Sequence, residues 1–380
     1  MVATLPLCGK YIIMYKEKYY WLALNMVPGI GRKLYHRLIN HFHSPEKAFR
    51  APNSQLLQIE GVGENLAEAI TSFKLDEVIE REKKLVELNR VSIFTFQDNI
   101  YPENLKKIYD PPPVLYMKGS IAKMDNIAVA IVGTRTPSRY GKLVTEKISS
   151  ELAERGVTII SGMASGIDSI AHRSAIAAKG RTIAVFGCGV NMTYPTENIN
   201  LKEKIIENGA VLSEFPMNAR PERTNFPMRN RIISGLSLGT IVIEAAEKSG
   251  ALITSDFALE QGKDVFAVPG NINSPKSKGT NRLIKMGAKL VENADDVIEE
   301  FPYEIKMLLQ SCSKQKEKTE VPELSDDEKK IYSLLSEEET HIDTLIQESN
   351  MPSQKVSALL IQMELKDVIK QQSGKMFVIT

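Results

Sequence analysis

The chain has 380 residues, 43% hydrophobic and 25% charged, the composition of a globular protein with room for two or three domains. Its 48 Lys and Arg stand against 47 Asp and Glu for a net charge of +1, which excludes a general polycation, so any affinity for nucleic acid must come from locally gathered basic residues. Cys8, Cys188 and Cys312 are odd in number, far apart and without a Cys-x-x-Cys, which argues against a disulfide framework or zinc site and points to a reducing cytoplasm; Met1 to Met14 lacks the basic start of a signal peptide, and no apolar run approaches the ~20 residues that span a bilayer.

From Tyr20 to about Asn89 the periodicity predicts helices interrupted by two short glycine turns, Val27-Pro28-Gly29-Ile30-Gly31 and Ile59-Glu60-Gly61-Val62-Gly63. A helix is expected after each, over Arg32 to Phe42 and Glu64 to Phe73. Such turns resemble the helix-hairpin-helix unit, whose glycines let backbone N–H groups approach a phosphate. Glu60 and Glu64 flank the second turn and would repel phosphate, so joining packed helices is the favoured reading there.

After a charged helix over Asp76 to Asn89 the pattern turns strand-like, at Val91 to Phe96 and, past the Pro111-Pro112-Pro113 stop, at Val114 to Lys118. Short β-branched runs then alternate with helical segments: Ile127 to Val132, Thr158 to Ser161, Thr182 to Phe186, Ala210 to Ser213, Gly239 to Ile243, Asp264 to Ala267 and Lys289 to Val291. That alternation predicts an α/β fold, a doubly wound, mostly parallel sheet covered on both faces over residues 90–302. Ligands in such folds sit at the carboxyl ends of the strands. From Tyr303 to Pro322 the sequence turns polar and reads as a linker. The remaining residues, 323–380, carry three helical patterns (Ser325 to Leu335, His341 to Glu348, Pro352 to Leu365) and a hairpin pattern, and resemble a winged helix. Its expected recognition helix balances Lys355 and Lys366 against Glu364 and Asp367, which favours a protein-interaction or structural role over groove reading.

The chemistry-bearing turns follow the strands. Gly133-Thr134-Arg135 combines a glycine bend with a cation able to clamp phosphate. Ser161-Gly162-Met163-Ala164-Ser165-Gly166-Ile167-Asp168 leaves the backbone bare, as an anion nest requires, with Asp168 expected as a helix cap and His172 as a packed histidine. Cys188, between Gly187 and Gly189, is expected as a small buried thiol. No Gly-x-Gly-x-x-Gly with a downstream acid exists, which disfavours a hydride-transfer enzyme. Ser213 to Ser237 places Arg220, Arg223, Arg229 and Arg231 beside Phe226 and between prolines, a composition suited to forking onto phosphates and stacking on bases of a single strand. Gly239-Thr240 followed by Glu244 is similar to the Pro-Gly-Gly-x-Gly-Thr-x-x-Glu pattern of nucleoside-monophosphate phosphoribohydrolases. The Pro-Gly-Gly is missing and the acid comes one residue late, so an N-glycosidic hydrolase using Glu244 stands as the alternative reading.

Taken in order, Gly133 to Arg135, Ser161 to Asp168 with Ala171-His172, Tyr194-Pro195, Ser213-Glu214, Phe226 to Arg231, Ser234 to Ser237, Glu244-Ala245, Ser249-Gly250 and Val268 to Gly270 strongly resemble the DNA-processing protein A family (DprA or Smf). The resemblance implies a Rossmann-like fold in a cytoplasmic bacterial protein that binds single-stranded DNA and loads RecA onto it in natural transformation. It further implies work alongside single-stranded-DNA-binding protein, dimerisation around Asn281, Ile284 and Leu290, and neither enzymatic activity nor cofactor nor metal. By the same resemblance Arg135 and Arg223 contact phosphates, Phe226 contacts a base, and Ser161, Gly162, Ser165 and Gly166 form the glycine-rich wall. Asn230, Arg231 and Ser234 complete the expected DNA contacts, with Arg229 and Arg231 open between touching the strand and bracing the loop. Backbone N–H groups of the Gly162 to Gly166 turn are expected to hold phosphates.

Overall fold

The computed structural model describes residues 7–310, 324–335, 340–366, 368–372 and 374–379. Two compact units divide at Leu309 and Gln310. The first opens with α1 (Leu7–Met26), α2 (Arg32–Phe42), α3 (Pro45–Arg50), α4 (Asn53–Leu56), α5 (Glu64–Thr71) and α6 (Leu75–Leu88). Both predicted turns are present, with Gly29 at φ +90° and Gly61 at φ +95°, a region that favours glycine. Arg37 of α2 donates to the Glu60 carbonyl at 2.8 Å, so the second turn ties the two hairpins together. These helices share a core with the sheet: Tyr19, Leu22 and Val86 pack with Tyr116, Phe186 and Leu201.

The sheet domain follows as β1 (Ser92–Thr95), α7 (Glu103–Lys106), β2 (Val114–Gly119), β3 (Ala128–Val132), α8 (Arg139–Glu154), β4 (Thr158–Ser161), α9 (Ile167–Ala177), β5 (Thr182–Phe186), α10 (Ile199–Glu207), β6 (Gly209–Ser213), α11 (Asn225–Leu236), β7 (Gly239–Val242), α12 (Gly250–Glu260), β8 (Asp264–Ala267), α13 (Lys278–Lys285), β9 (Lys289–Leu290) and α14 (Ala294–Ile298). Spatial order is β1-β2-β6-β5-β4-β3-β7-β8-β9. From β6 to β9 all neighbours pair in parallel, and β1 and β2 extend one edge antiparallel. Every residue of β3 is buried, as a central parallel strand covered on both faces requires. The chain runs outward from β3 to β6 and returns to start β7 beside β3, which puts the switch point between those two strands. It is there, beyond the carboxyl ends, that doubly wound sheets leave a crevice.

One segment departs from expectation. Residues 303–310 of the predicted linker form a helix, α15, because Ile305 and Leu309, one turn apart, pack against the core; residues 311–322 lie outside the described residues. The second unit holds α16 (Asp326–Tyr332), β10 (Thr340–His341), α17 (Ile342–Ser349), α18 (Ser353–Leu365), β11 (Ile369–Gln372) and β12 (Met376–Ile379). Its strands pair in the order β10-β12-β11, around a core of Ile331, Leu345, Val356, Met363 and Phe377. It is a winged helix. Among the described residues no helix is long and apolar enough to cross a membrane.

Candidate nucleic-acid interface

A cleft of about 670 Å³ opens at the switch point. Each of its walls follows a strand: Gly133 to Arg135 follow β3, Ala164 and Asp168 follow β4, Tyr194 follows β5, Arg223 to Asn230 follow β6, and Ser249 to Thr254 follow β7. Phe226 is the aromatic centre of the group. The guanidinium of Arg135 lies 5.8 Å from its ring centroid, that of Arg229 6.0 Å, and the Tyr194 ring 5.5 Å. Phe226 stands on the first turn of α11, not on a loop. Pro227 tolerates that turn, because the N–H it lacks is one a helix start leaves without an intrahelical partner. Gly187 lies under the ring, where an added Cβ would come to 3.0 Å of Phe226. At its far end α11 is held by Lys263, whose ammonium donates to the carbonyls of Ser234, Gly235 and Ser237 at 2.6 to 2.8 Å.

The protein's own carboxylates fill the backbone anion sites. Asp168 accepts from the N–H of Gly162 at 3.1 Å and of Ala164 at 3.3 Å, so these donors of the glycine turn face inward. Burial raises the Asp168 carboxyl above its ordinary value, while Arg229 and the two N–H groups pull it back. Likewise Glu244 accepts from Ser138 at the start of α8, from the backbone N–H at 2.9 Å and the hydroxyl at 2.5 Å. Only 3% of Glu244 is exposed. Its carboxylate caps α8 and does not line the cleft.

Of the residues expected to meet a strand, the cleft brings together Arg135, Arg223, Phe226 and Asn230; Arg135 and Arg223 are exposed. The others lie elsewhere. Ser161 is fully buried and donates to the Ile131 carbonyl, and Ser234 is fully buried against its own helix. Gly162 is buried under Arg229, whose guanidinium would stand 2.5 Å from an added Cβ. Ser165 donates to Glu197 at 2.7 Å, and Gly166, at φ +84°, lets the Thr134 to Arg135 turn approach. Arg231 is 1% exposed, pairs with Glu214, and lies 3.4 Å from Asp110. Arg229 is also buried and donates to the carbonyls of Gly162, at 2.8 Å, and Val185. Both arginines therefore brace the wall. Sequence reasoning missed Tyr194 and the start of α12 as cleft walls, although both stand within the ordered motifs. Cys188 is buried, and burial pushes its thiol up to about 11. Among the described residues no acidic, His or Cys cluster is placed to hold a metal ion.

Comparison with known proteins decides the family. A family model described as DNA recombination-mediator protein A matches residues 92–302. The chain belongs to that family. Residues 315–375 also match the DprA winged helix domain. Relatives of this chain include Protein Smf of Synechocystis, 35% identical over 94% of this chain and 98% of that protein. The DNA processing protein DprA of Bacillus subtilis is 48% identical over 53% of this chain and 68% of that protein. In three dimensions the X-ray structure of DNA processing protein A from Streptococcus pneumoniae superposes with a TM-score of 0.60 at 34% identity, covering 75% of this chain and 98% of that one. A structure of the Helicobacter pylori DNA processing protein A, described for its single-stranded DNA binding mode, gives 0.51 at 33% identity, over 58% of this chain and 97% of that one.

Proposed function

We propose that the switch-point cleft holds single-stranded DNA, with Phe226 stacking on a base and Arg135 and Arg223 neutralising phosphates. The observation that carries this reading is the grouping of Arg135, Arg229 and Tyr194 around the half-buried Phe226 ring. Stacking on an aromatic platform contributes ~1–3 kcal/mol per base and reads no sequence. The Helicobacter pylori relative supports it, being described in its single-stranded DNA binding mode.

The wider role rests on the family resemblance. The protein acts in the bacterial cytoplasm as a recombination mediator without catalysing a covalent step, loads RecA on the strand in natural transformation, and works beside single-stranded-DNA-binding protein. A homodimer would form at the β9 edge of the sheet, where Leu259, Met286 and Leu290 are exposed. Asn281 and Ile284, both half-buried, belong to the same surface: the Asn281 amide clasps Gly270, and the inner side of Ile284 packs on the core.

Fluorescence anisotropy with oligo-dT over a salt titration tests the cleft. Arg135→Ala lowers affinity and reduces the log-log salt slope by about 0.7; unchanged affinity and slope would overturn the assignment. Filament nucleation by RecA on strands coated with single-stranded-DNA-binding protein tests the loading role: the wild type accelerates it and Arg135→Ala does not.

A further inference from the structure

A second cavity, of about 610 Å³, lies on the other side of the α11 start, between the first glycine turn of the helical head and the sheet. Phe226 and Pro227 line the first cleft and Met228 lines this one, so residues no more than two apart on the first turn of α11, about 3 Å of rise, face the two cavities. Its walls include Gly31, Arg32, Lys33, Tyr109 and Glu214. The start of α2 faces it: Gly31 is the N-cap, no side chain caps the helix, and a Cβ at Gly31 would meet nothing within 4 Å. The first N–H groups of a helix have no partner within it and attract anions.

One observation beyond that helix start points to a ligand. Glu214 is 8% exposed, and its Oε1 has no hydrogen-bond partner although Oε2 is paired with Arg231. Arg32, the first residue of α2, is not open in this way, because its Nη1 is ion-paired with Asp110 at 3.3 Å. A buried acceptor left open is costly unless something completes it. Above them Lys33 lies over the ring of Tyr109, 5.6 Å from its centroid, and Tyr109 is 83% exposed. Cation, free aromatic face, helix start and open acceptor are together the contacts that one nucleotide asks for.

We infer that this cavity is a second nucleotide subsite for the same single strand, with a phosphate at the α2 start beside Lys33, a base against Tyr109, and a base N–H donated to Glu214 Oε1. The inference rests on the reading of the Phe226 cleft as a single-strand site. It gives the first glycine turn a DNA contact and leaves the second as the tie seen at Arg37 and Glu60. The strand would cross the α11 start, so binding energy grows once an oligonucleotide is long enough to reach both cavities.

Gly31→Asp is the informative substitution. Aspartate is a good N-cap and space for it is open, so the fold is retained or strengthened while a carboxylate takes the place of the phosphate. Across a series of oligo-dT lengths, the expected result is a loss of about tenfold in affinity for long strands with none for the shortest that bind. Lys33→Ala with Tyr109→Ala should reproduce it. Arg135→Ala should weaken every length. If Gly31→Asp binds all lengths as the wild type does, or loses affinity equally at all of them, while Arg135→Ala remains weak, the second subsite is overturned and the first stands. If Arg135→Ala is without effect, it is the cleft reading that falls.

Discussion

Glu244 holds Ser138 with both carboxylate oxygens across 106 residues of chain. The position that carries the acid in a similar hydrolase pattern is here a helix cap, with Gly141 packed against it. Removing the carboxylate orphans donors at the α8 start, so Glu244→Ala should cost about 1–3 kcal/mol of stability and leave oligo-dT affinity unchanged. Chemical denaturation and anisotropy check the two halves. Release of base from nucleoside monophosphates that depends on Glu244 would restore the hydrolase reading.

As a stacking platform Phe226 carries no charge of its own. Phe226→Ala should therefore lose ~1–3 kcal/mol of binding with its salt slope intact, the opposite signature to Arg135→Ala. Phe226→Tyr should retain most of the affinity. A changed slope on Phe226→Ala would mean that the ring mainly positions Arg135.

Arg229 separates bracing from contact. Its guanidinium satisfies the carbonyls of Gly162 and Val185, and each buried acceptor left without a partner costs about 1–3 kcal/mol. Arg229→Ala should thus lower the denaturation midpoint and weaken binding as a secondary effect. Lost binding at an unchanged midpoint would make it a phosphate ligand instead.

His172 supplies a pH dependence. Its Nδ1 is 2.6 Å from the Thr182 hydroxyl, and because that hydroxyl donates to the Ile159 carbonyl the imidazole Nδ1–H donates to it. Burial, with Arg229 and Arg173 adding to it, holds its pKa down to about 3 from an ordinary 6.5. The unfolded chain takes up the proton first, so this contribution is full above 6.5 and declines as pH falls from there toward 3, by about 1.4 kcal/mol per unit. Urea denaturation between neutral pH and about 5 should show His172→Gln losing part of the wild-type slope. Parallel curves would show the histidine to be protonated in the fold.

The β9 edge yields a test of assembly. Leu290 is 42% and Met286 67% exposed beside a strand with one free edge, a surface that sheet proteins ordinarily cover or charge. Leu290→Glu should give a monomer by light scattering, and an intact dimer would move the interface elsewhere.

Much of this architecture is legible in the chain itself. Period and length alone separate the buried β-branched runs of β3 to β8 from the helices between them, since a parallel strand covered on both faces has to be apolar throughout. The turns after those strands then fall at one edge by topology, which is why Gly133 to Arg135 and Ser213 to Ser237 can be placed together before any coordinates exist. The linker reading fails at 303–310, where Tyr-Glu-Ile-Lys-Met-Leu-Leu-Gln carries Ile305 and Leu309 at helical spacing ahead of the lysine-rich polar run Lys314 to Lys318.

What the sequence by itself determined was the order of strands and glycine turns and the gathering of cations near Phe226. Only the tertiary structure decided which of those cations are free. Arg223, Arg229 and Arg231 look alike within nine residues, yet Arg231 is sealed against Glu214 and Asp110, Arg229 lies on the carbonyls of Gly162 and Val185, and Arg223 is left at the cleft. In the same way Asp168 and Glu244 occupy backbone donors that the sequence pattern assigns to a phosphate. The reason is that a charge or an N–H group is committed by whichever partner folding brings near, and those partners lie tens of residues away.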